Sequence, residues 1–470
     1  MFSQKIKGYL SLISAILFNF IIGNLFSFSN FIPYYQSYLY YKYDNKEEIS
    51  LMQLYFITPS GIFVHKTFPS FMGLVDKKIG IRALTIIATI SIFISHVILY
   101  FSINYYLILL AYILYGYGSC STYYTSLRNC WKYFPEKKDL ISGIIFSSFG
   151  LSSFAFTSIA DQIINPDNIP KNGKFYPKQI SYRFIKYVKI FAISVVVIGS
   201  ISSILCFPYE EENQNDNNII NKNKECLNDS NVNKSEQEID VKNDEITKSL
   251  LNNNENVPLK KIIFSGEFVK CLAIAGCSLT FGFLLGNTYR NFGIENKLDE
   301  SGMHTLSKVY TLLNTFSRIL WGIICQKFKF KIPYIIIVIN QIVCGCVIYF
   351  SAVKLYTYFI VVCLGALSYA GHIVFFPNLI HKKFGVENSV ILLGICGIFS
   401  GISALIGPIL TYFIKNLKDY LIVYLVGVAP SIVSLILTIF IKTDRFEIKH
   451  EIDIIEDNEN ESDKDKLIDV

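Results

Sequence analysis

The sequence predicts an all-α integral membrane protein, with twelve transmembrane helices arranged as two six-helix halves. Three observations carry that prediction. Hydrophobic residues make up 52% of the 470 and charged residues only 17%, an imbalance that soluble chains of this length do not show. Apolar stretches long enough to cross a bilayer (~20 residues) fall as six, an interruption, and six more. Short loops alternate between basic-rich and basic-poor, as they must when successive helices cross in opposite directions.

The first six spans lie near 9–31, 51–74, 82–102, 105–128, 139–161 and 186–208, giving an N-terminal half over 1–208. The first stretch is too long for a signal-peptide core and lacks a small-residue cleavage site, so it is expected to stay as a helix. Residues 209–261 interrupt the pattern. Between Glu210 and Lys260 there are 14 Asn, many charges and few aromatics, too little apolar surface to order a chain, so a disordered linker is expected. The remaining spans lie near 266–288, 305–326, 332–353, 355–378, 389–414 and 419–441, a C-terminal half over 262–443 that leaves a charged tail over 444–470.

Loop charge sets the orientation. Lys77, Lys78 and Arg82 follow span two, and Lys132, Lys137 and Lys138 follow span four. Span eight is followed by Lys327, Lys329 and Lys331, and span ten by Lys382 and Lys383. The stretch Asp161–Lys189 holds six basic residues on the opposite side, but it is long and partly flanks a helix, so it weighs less. Both termini and the linker are therefore expected in the cytoplasm, or the equivalent side of an organelle. The plasma membrane is the default location and an internal organelle membrane the alternative. Nine of the eleven Cys fall within apolar spans, which argues against a disulfide framework.

Arg318 is the most informative single residue. It lies inside Val309–Cys325 (VYTLLNTFSRILWGIIC). On a helix over about Thr305–Gln326 it sits ~12 Å from the inner end at ~1.5 Å per residue, near the middle of a ~30 Å hydrocarbon slab. A cation at that depth needs a protein or aqueous surrounding and a partner, unless it snorkels to the headgroups. Asn314, four residues earlier, shares its helix face. The pair suggests an anion-binding site at mid-membrane. Lys66 and His65 sit about two-thirds along span two: Lys66 is a second anchor or gate, or snorkels; His65 is a titrating group, or a packing histidine. Arg128 closes span four as a cytoplasmic gate or a positive-inside anchor. Tyr123, Tyr124, His372 and Asn378 either line a cavity or pack, and Asn287, Tyr289 and Arg290 end span seven as an external gate.

Several motifs resemble the major facilitator superfamily. Gly73-Leu-Val-Asp76-Lys77-Lys78-Ile-Gly80-Ile-Arg82 approximates its loop signature Gly-x-x-x-Asp-Arg-x-Gly-Arg-Lys, with one gap shorter and one longer. The resemblance implies a conformational latch in which Gly73 packs closely and Asp76, Lys77 and Arg82 hold the cytoplasmic surface. The second-half copy, Gly322-Ile-Ile-Cys-Gln326-Lys327, has no acid. Four further stretches are similar to the oxalate:formate antiporter and monocarboxylate transporter branch. They are Gly23-Asn24-Leu-Phe26-Ser-Phe28-Ser29-Asn-Phe31; Trp131 to Gly143 with Gly150; Asn314-x-x-x-Arg318-x-x-Trp-Gly322; and Phe376-Pro377, Phe384-Gly385, Asn388, Gly407-Pro408 in order.

That resemblance implies a small organic anion held between the halves by basic side chains. Departures matter: Asn314 stands where monocarboxylate transporters have Asp, span one offers Asn19, Asn24, Ser27 and Ser29 instead of Lys, and Ser400 stands where oxalate exchangers have a second basic residue. Proton symport by the Asp and Lys route is thereby in question, and a coupling proton remains an expected partner only through other groups. A single mid-membrane cation favours a monovalent anion, since a dianion would leave one charge unpaired at low dielectric. The expectation is a secondary active or facilitative transporter of a monocarboxylate working by alternating access, a single chain in the bilayer forming the transport unit. Alternatives are a facilitator of a neutral or cationic solute, and a non-transporting scaffold or sensor. No P-loop, metal-ligand spacing or nucleophile arrangement points to an enzyme or a cofactor, and nothing points to a nucleic-acid partner.

Overall fold

Inside a bilayer no water satisfies backbone N–H and C=O groups, so the apolar runs fold as helices, which satisfy their own. The computed structural model describes residues 3–28, 31–44, 46, 49–167, 169–210, 258–414 and 416–443. Ser29, most of the expected linker and the expected tail lie outside the described residues. In chain order the helices are α1 (Gln4–Ile22), α2 (Ile32–Lys42), α3 (Leu51–Thr67), α4 (Pro69–Phe101), α5 (Tyr105–Tyr133), α6 (Lys138–Ile164) and α7 (Lys178–Leu205). After the 211–257 stretch come α8 (Leu259–Ile263), α9 (Gly266–Glu295), α10 (Glu300–Lys327), α11 (Lys331–Ser351), α12 (Leu355–Phe384), α13 (Val386–Tyr412) and α14 (Leu417–Phe440). No strand occurs among the described residues.

Among the described residues, nine helices are long and apolar enough to cross a membrane. The crossings missing from that set are informative. Helix α3 has only 17 residues because the chain breaks at Phe68, while α5 and α10, at 29 and 28 residues, are long enough but too polar. These three supply Lys66, Tyr123 and Arg318.

Two departures from the expected spans have identifiable causes. Span one does not run unbroken to residue 31: α1 ends at Ile22, a 3-10 turn follows over Gly23–Phe26, and α2 restarts at Ile32 with Pro33 in its first turn. Span two does not end at 74. Pro69 has no N–H to return to the His65 carbonyl, so the helix breaks there, restarts as α4, and reaches a corner at Gly80. Gly80 has φ +78°, and no atom lies within 4 Å of where its Cβ would be, so backbone conformation rather than space demands glycine. Gly385, at φ +83°, makes the equivalent corner between α12 and α13.

The helices assemble as two bundles, α1–α7 and α9–α14, that meet through α6 against α10 and α12, and through α13 against α3, α4 and α5. Lys7 pairs with Glu210 (3.2 Å) and Lys383 reaches the Lys442 carbonyl, so the start of the chain and the ends of both bundles share one face. Lipid-facing positions of α10 such as Phe316, Leu320 and Ile323 are exposed, whereas its Asn314, Thr315, Ser317 and Arg318 are buried.

Candidate functional site

Arg318 lies nine residues before the end of α10, about 14 Å along the helix. It is 4% exposed, which rules out snorkelling. Its Nη2 donates to Asn314 Oδ1 (2.7 Å) and its Nη1 to the Phe146 carbonyl of α6 (2.6 Å), so the side chain bridges the two halves. Arg318 Nε has no partner. Among the described residues no carboxylate pairs with this guanidinium; the groups in electrostatic reach include Tyr123, Tyr369 and Tyr310, and Lys66 of the other half.

Asn314 turns its oxygen to the arginine, which offers donors only, so its Nδ2 is the free end. That nitrogen is buried and unpartnered. Glycines bring α6 this close. A Cβ on Gly150 would lie 3.3 Å from Arg318 Cζ, and one on Gly143 only 2.6 Å from the Arg318 carbonyl oxygen.

Of the two readings of Lys66, snorkelling does not fit its surroundings. The helix that carries it continues past the Pro69 break to the corner at Gly80, so about 20 Å of helix separates Lys66 from that face, more than a lysine stem spans. Lys66 is 9% exposed, its Nζ lies 5.3 Å from the Tyr123 ring centroid, and Arg318 is in electrostatic reach. His65 beside it points elsewhere. Its Nδ1 meets Ser119 Oγ at 2.8 Å and its ring packs against Tyr123 (4.8 Å) and Phe149 (5.8 Å).

The other expected site residues separate. Tyr124 packs on Tyr123, ring centroids 4.7 Å apart, at the edge of the site. Ser400 sits on the α13 face that meets Lys66 through Gly397 and Gly401, but its hydroxyl donates to its own helix at Gly397 (3.0 Å). Asn24 is remote, accepting from Tyr187 (3.2 Å) beside a cavity of about 10 Å³ within the first bundle. His372 is saturated by Gln341 (2.8 Å) and Tyr334 (3.1 Å) inside the second bundle. Tyr310 and Tyr369 were not singled out from sequence; in a chain with 31 Tyr, only three-dimensional placement distinguishes them.

The expected latch residues divide similarly. Asp76 pairs with Arg128, whose Nη1 lies 3.5 Å from the Glu387 carbonyl. Gly73 packs against Val390 and Ile391 where α13 begins, and Lys77 is in electrostatic reach of Glu387. Arg82 is not part of this group: it donates to the Cys206 and Ile204 carbonyls and covers the Phe207 ring at 5.1 Å, fastening the end of α7. Two ion pairs between the halves were not foreseen: Lys132–Glu387 and Lys382–Asp139, each at 2.5 Å. Among the described residues no group of three His, Cys, Asp or Glu side chains is placed to hold a metal.

Comparison with known proteins agrees with this architecture. The chain is 21% identical over 321 residues, 68% of each chain, to YhjX of Escherichia coli K12, described as an uncharacterized MFS-type transporter. Its fold matches the E. coli fucose:proton symporter FucP (TM-score 0.62, 12% identity, 92% of this chain and 98% of that one). It also matches the proton:xylose symporter XylE (TM-score 0.65, 13% identity, 90% and 94%). The Major Facilitator Superfamily model matches residues 17–408, and the chain belongs to that family, as a multi-pass membrane transporter rather than an enzyme.

Proposed function

We propose that this transporter carries a small organic carboxylate by alternating access, with Arg318 gripping the carboxylate and Asn314 orienting it. The observation that carries this reading is a surplus of donors: Arg318 Nε and Asn314 Nδ2 are both buried and both unpartnered, beside a guanidinium with no counter-ion among the described residues. An uncompensated buried charge costs several kcal/mol, and a bound anion removes that cost. Arginine suits the task because its planar fork meets a carboxylate through two parallel N–H groups. Its contact with Phe146 across the boundary between the halves, where access can alternate, supports this reading. A monocarboxylate follows if Arg318 is the only cation of the site.

The test is saturable uptake of labelled lactate, pyruvate, formate and oxalate into proteoliposomes, with and without an inward pH gradient. Losing the bidentate grip removes about 2–3 kcal/mol, so Arg318→Lys is expected to lower uptake efficiency roughly 30- to 150-fold despite keeping the charge. Wild-type kinetics in that variant would overturn the role given to the fork. No uptake of any of the four by folded protein would overturn the carboxylate reading.

A further inference from the structure

We infer that the site holds two cations, one from each half, and that its substrate is an organic dianion, bound by a carboxylate on Arg318 and a second anionic group on Lys66. The inference rests on the carboxylate reading of Arg318 and adds the substrate's charge.

Lys66 and Arg318 approach the Tyr123–Phe146 pair from opposite bundles. The Lys66 ammonium lies 5.3 Å from the Tyr123 ring centroid; that ring lies 5.3 Å from the Phe146 ring; and the Phe146 carbonyl accepts from Arg318 at 2.6 Å. Among the described residues neither cation has a carboxylate partner. Among the described residues the other buried Lys, Arg and Asp side chains are paired: Asp76 with Arg128, Asp139 with Lys382, Lys383 with Glu267. Lys66 and Arg318, the buried Lys and Arg side chains left without a carboxylate among the described residues, are in electrostatic reach of each other.

Two like charges on opposite sides of a closing boundary repel at low dielectric, and a single negative charge cancels only one of them. A dianion neutralises both. Position supports it as well: α13 presents Gly397 and Gly401 to Lys66, a Cβ on Gly401 lying 3.3 Å from Lys66 Cβ, so the lysine is packed against the middle of α13 and not at a rim. The single-cation count that favours a monocarboxylate does not hold once Lys66 is placed.

Proteoliposomes loaded with wild-type protein are offered oxalate, malonate and succinate against formate and lactate. The wild type is expected to favour the dianions at least tenfold. Lys66→Met is expected to lower dianion uptake tenfold or more while changing monoanion uptake less than about threefold, and Lys66→Arg to keep the dianion preference. Lys66→Gln supplies the neutral variant if Lys66→Met does not fold. Equal loss of both classes in the neutral variant would make Lys66 structural, and wild-type uptake of monoanions alone would overturn the charge count. Arg318→Lys separates the two readings: it should lower both classes roughly 30- to 150-fold, and its failure to do so would strike the carboxylate site itself and not the role of Lys66.

Discussion

Asn314 decides whether the charge of Arg318 is cancelled within its own helix. The amide takes one guanidinium N–H and leaves the positive charge uncancelled, whereas a carboxylate at the same position would sit one helical turn away and neutralise it. Asn314→Asp is therefore expected to raise the KM for anion uptake roughly tenfold or more at neutral pH. Uptake should recover as pH falls, because protonation removes the competing charge. A KM independent of both the substitution and pH would show that Asn314 does not face the substrate. His65 is held differently. Ser119 Oγ has one proton and donates it to the Gly116 carbonyl at 2.9 Å, so the 2.8 Å contact with His65 is made by Nδ1–H. The His65 ring is enclosed by Phe26, Tyr123 and Phe149, with Nε2 buried and unpartnered. The burial of Arg318 and its pairing with Asn314 could be read from sequence because a charge in an apolar run has few explanations. His65, Asn24 and Ser400 could not be assigned, because each hydrogen bond that fixes them comes from a fold contact with no local signature.

Glycines set the distance between α6 and α10. A Cβ on Gly143 would lie 2.6 Å from the Arg318 carbonyl and one on Gly322 2.8 Å from the Asp139 carbonyl, and neither backbone atom can move aside alone. Gly143→Ala is expected to cost about 1–3 kcal/mol by overpacking, read as a lower unfolding temperature in detergent. Gly150→Ala should act on function instead, since its Cβ meets Thr315 Oγ1 at 2.8 Å and Arg318 Cζ at 3.3 Å. Transport should fall with the unfolding temperature nearly unchanged. Gly266, with nothing within 4 Å of a Cβ, is the control at which alanine should alter neither. The glycine spacing after Trp131 was legible as a motif, and its physical purpose became visible only with the second bundle in place. Helix existence was legible almost throughout, because twenty apolar residues in a bilayer have one stable arrangement. Helix ends were not: α4 runs through Gly80, and α12 runs six residues past the expected end at 378, because helices continue beyond the hydrocarbon wherever another helix covers them.

The two ion pairs across the halves are reciprocal. Lys132 at the end of α5 pairs with Glu387 at the start of α13, and Lys382 at the end of α12 pairs with Asp139 at the start of α6. Each half thus offers a lysine from one helix end and an acid from the next helix start, the arrangement that two similar six-helix units make when they close face to face. Both pairs lie on the face that carries the chain ends, together with the contact of Arg128 to the Glu387 carbonyl, so this structure is fastened on that face. Each pair has one member well exposed, Glu387 at 42% and Lys382 at 48%, so each contributes about 0.5–1 kcal/mol, screened by salt. Glu387→Gln and Asp139→Asn should each shift the balance toward opening on this face by roughly two- to fivefold, and the double variant by the product if the pairs act independently. The readout is alkylation rate of a cysteine placed at Ser142, which is buried against Asn378 of the other half in the fastened state. Exchanging the charges, Lys132→Glu with Glu387→Lys, should restore slow alkylation where either change alone speeds it. Equal rates in all four proteins would mean that glycine packing between α6 and α10, and not charge, holds the face closed.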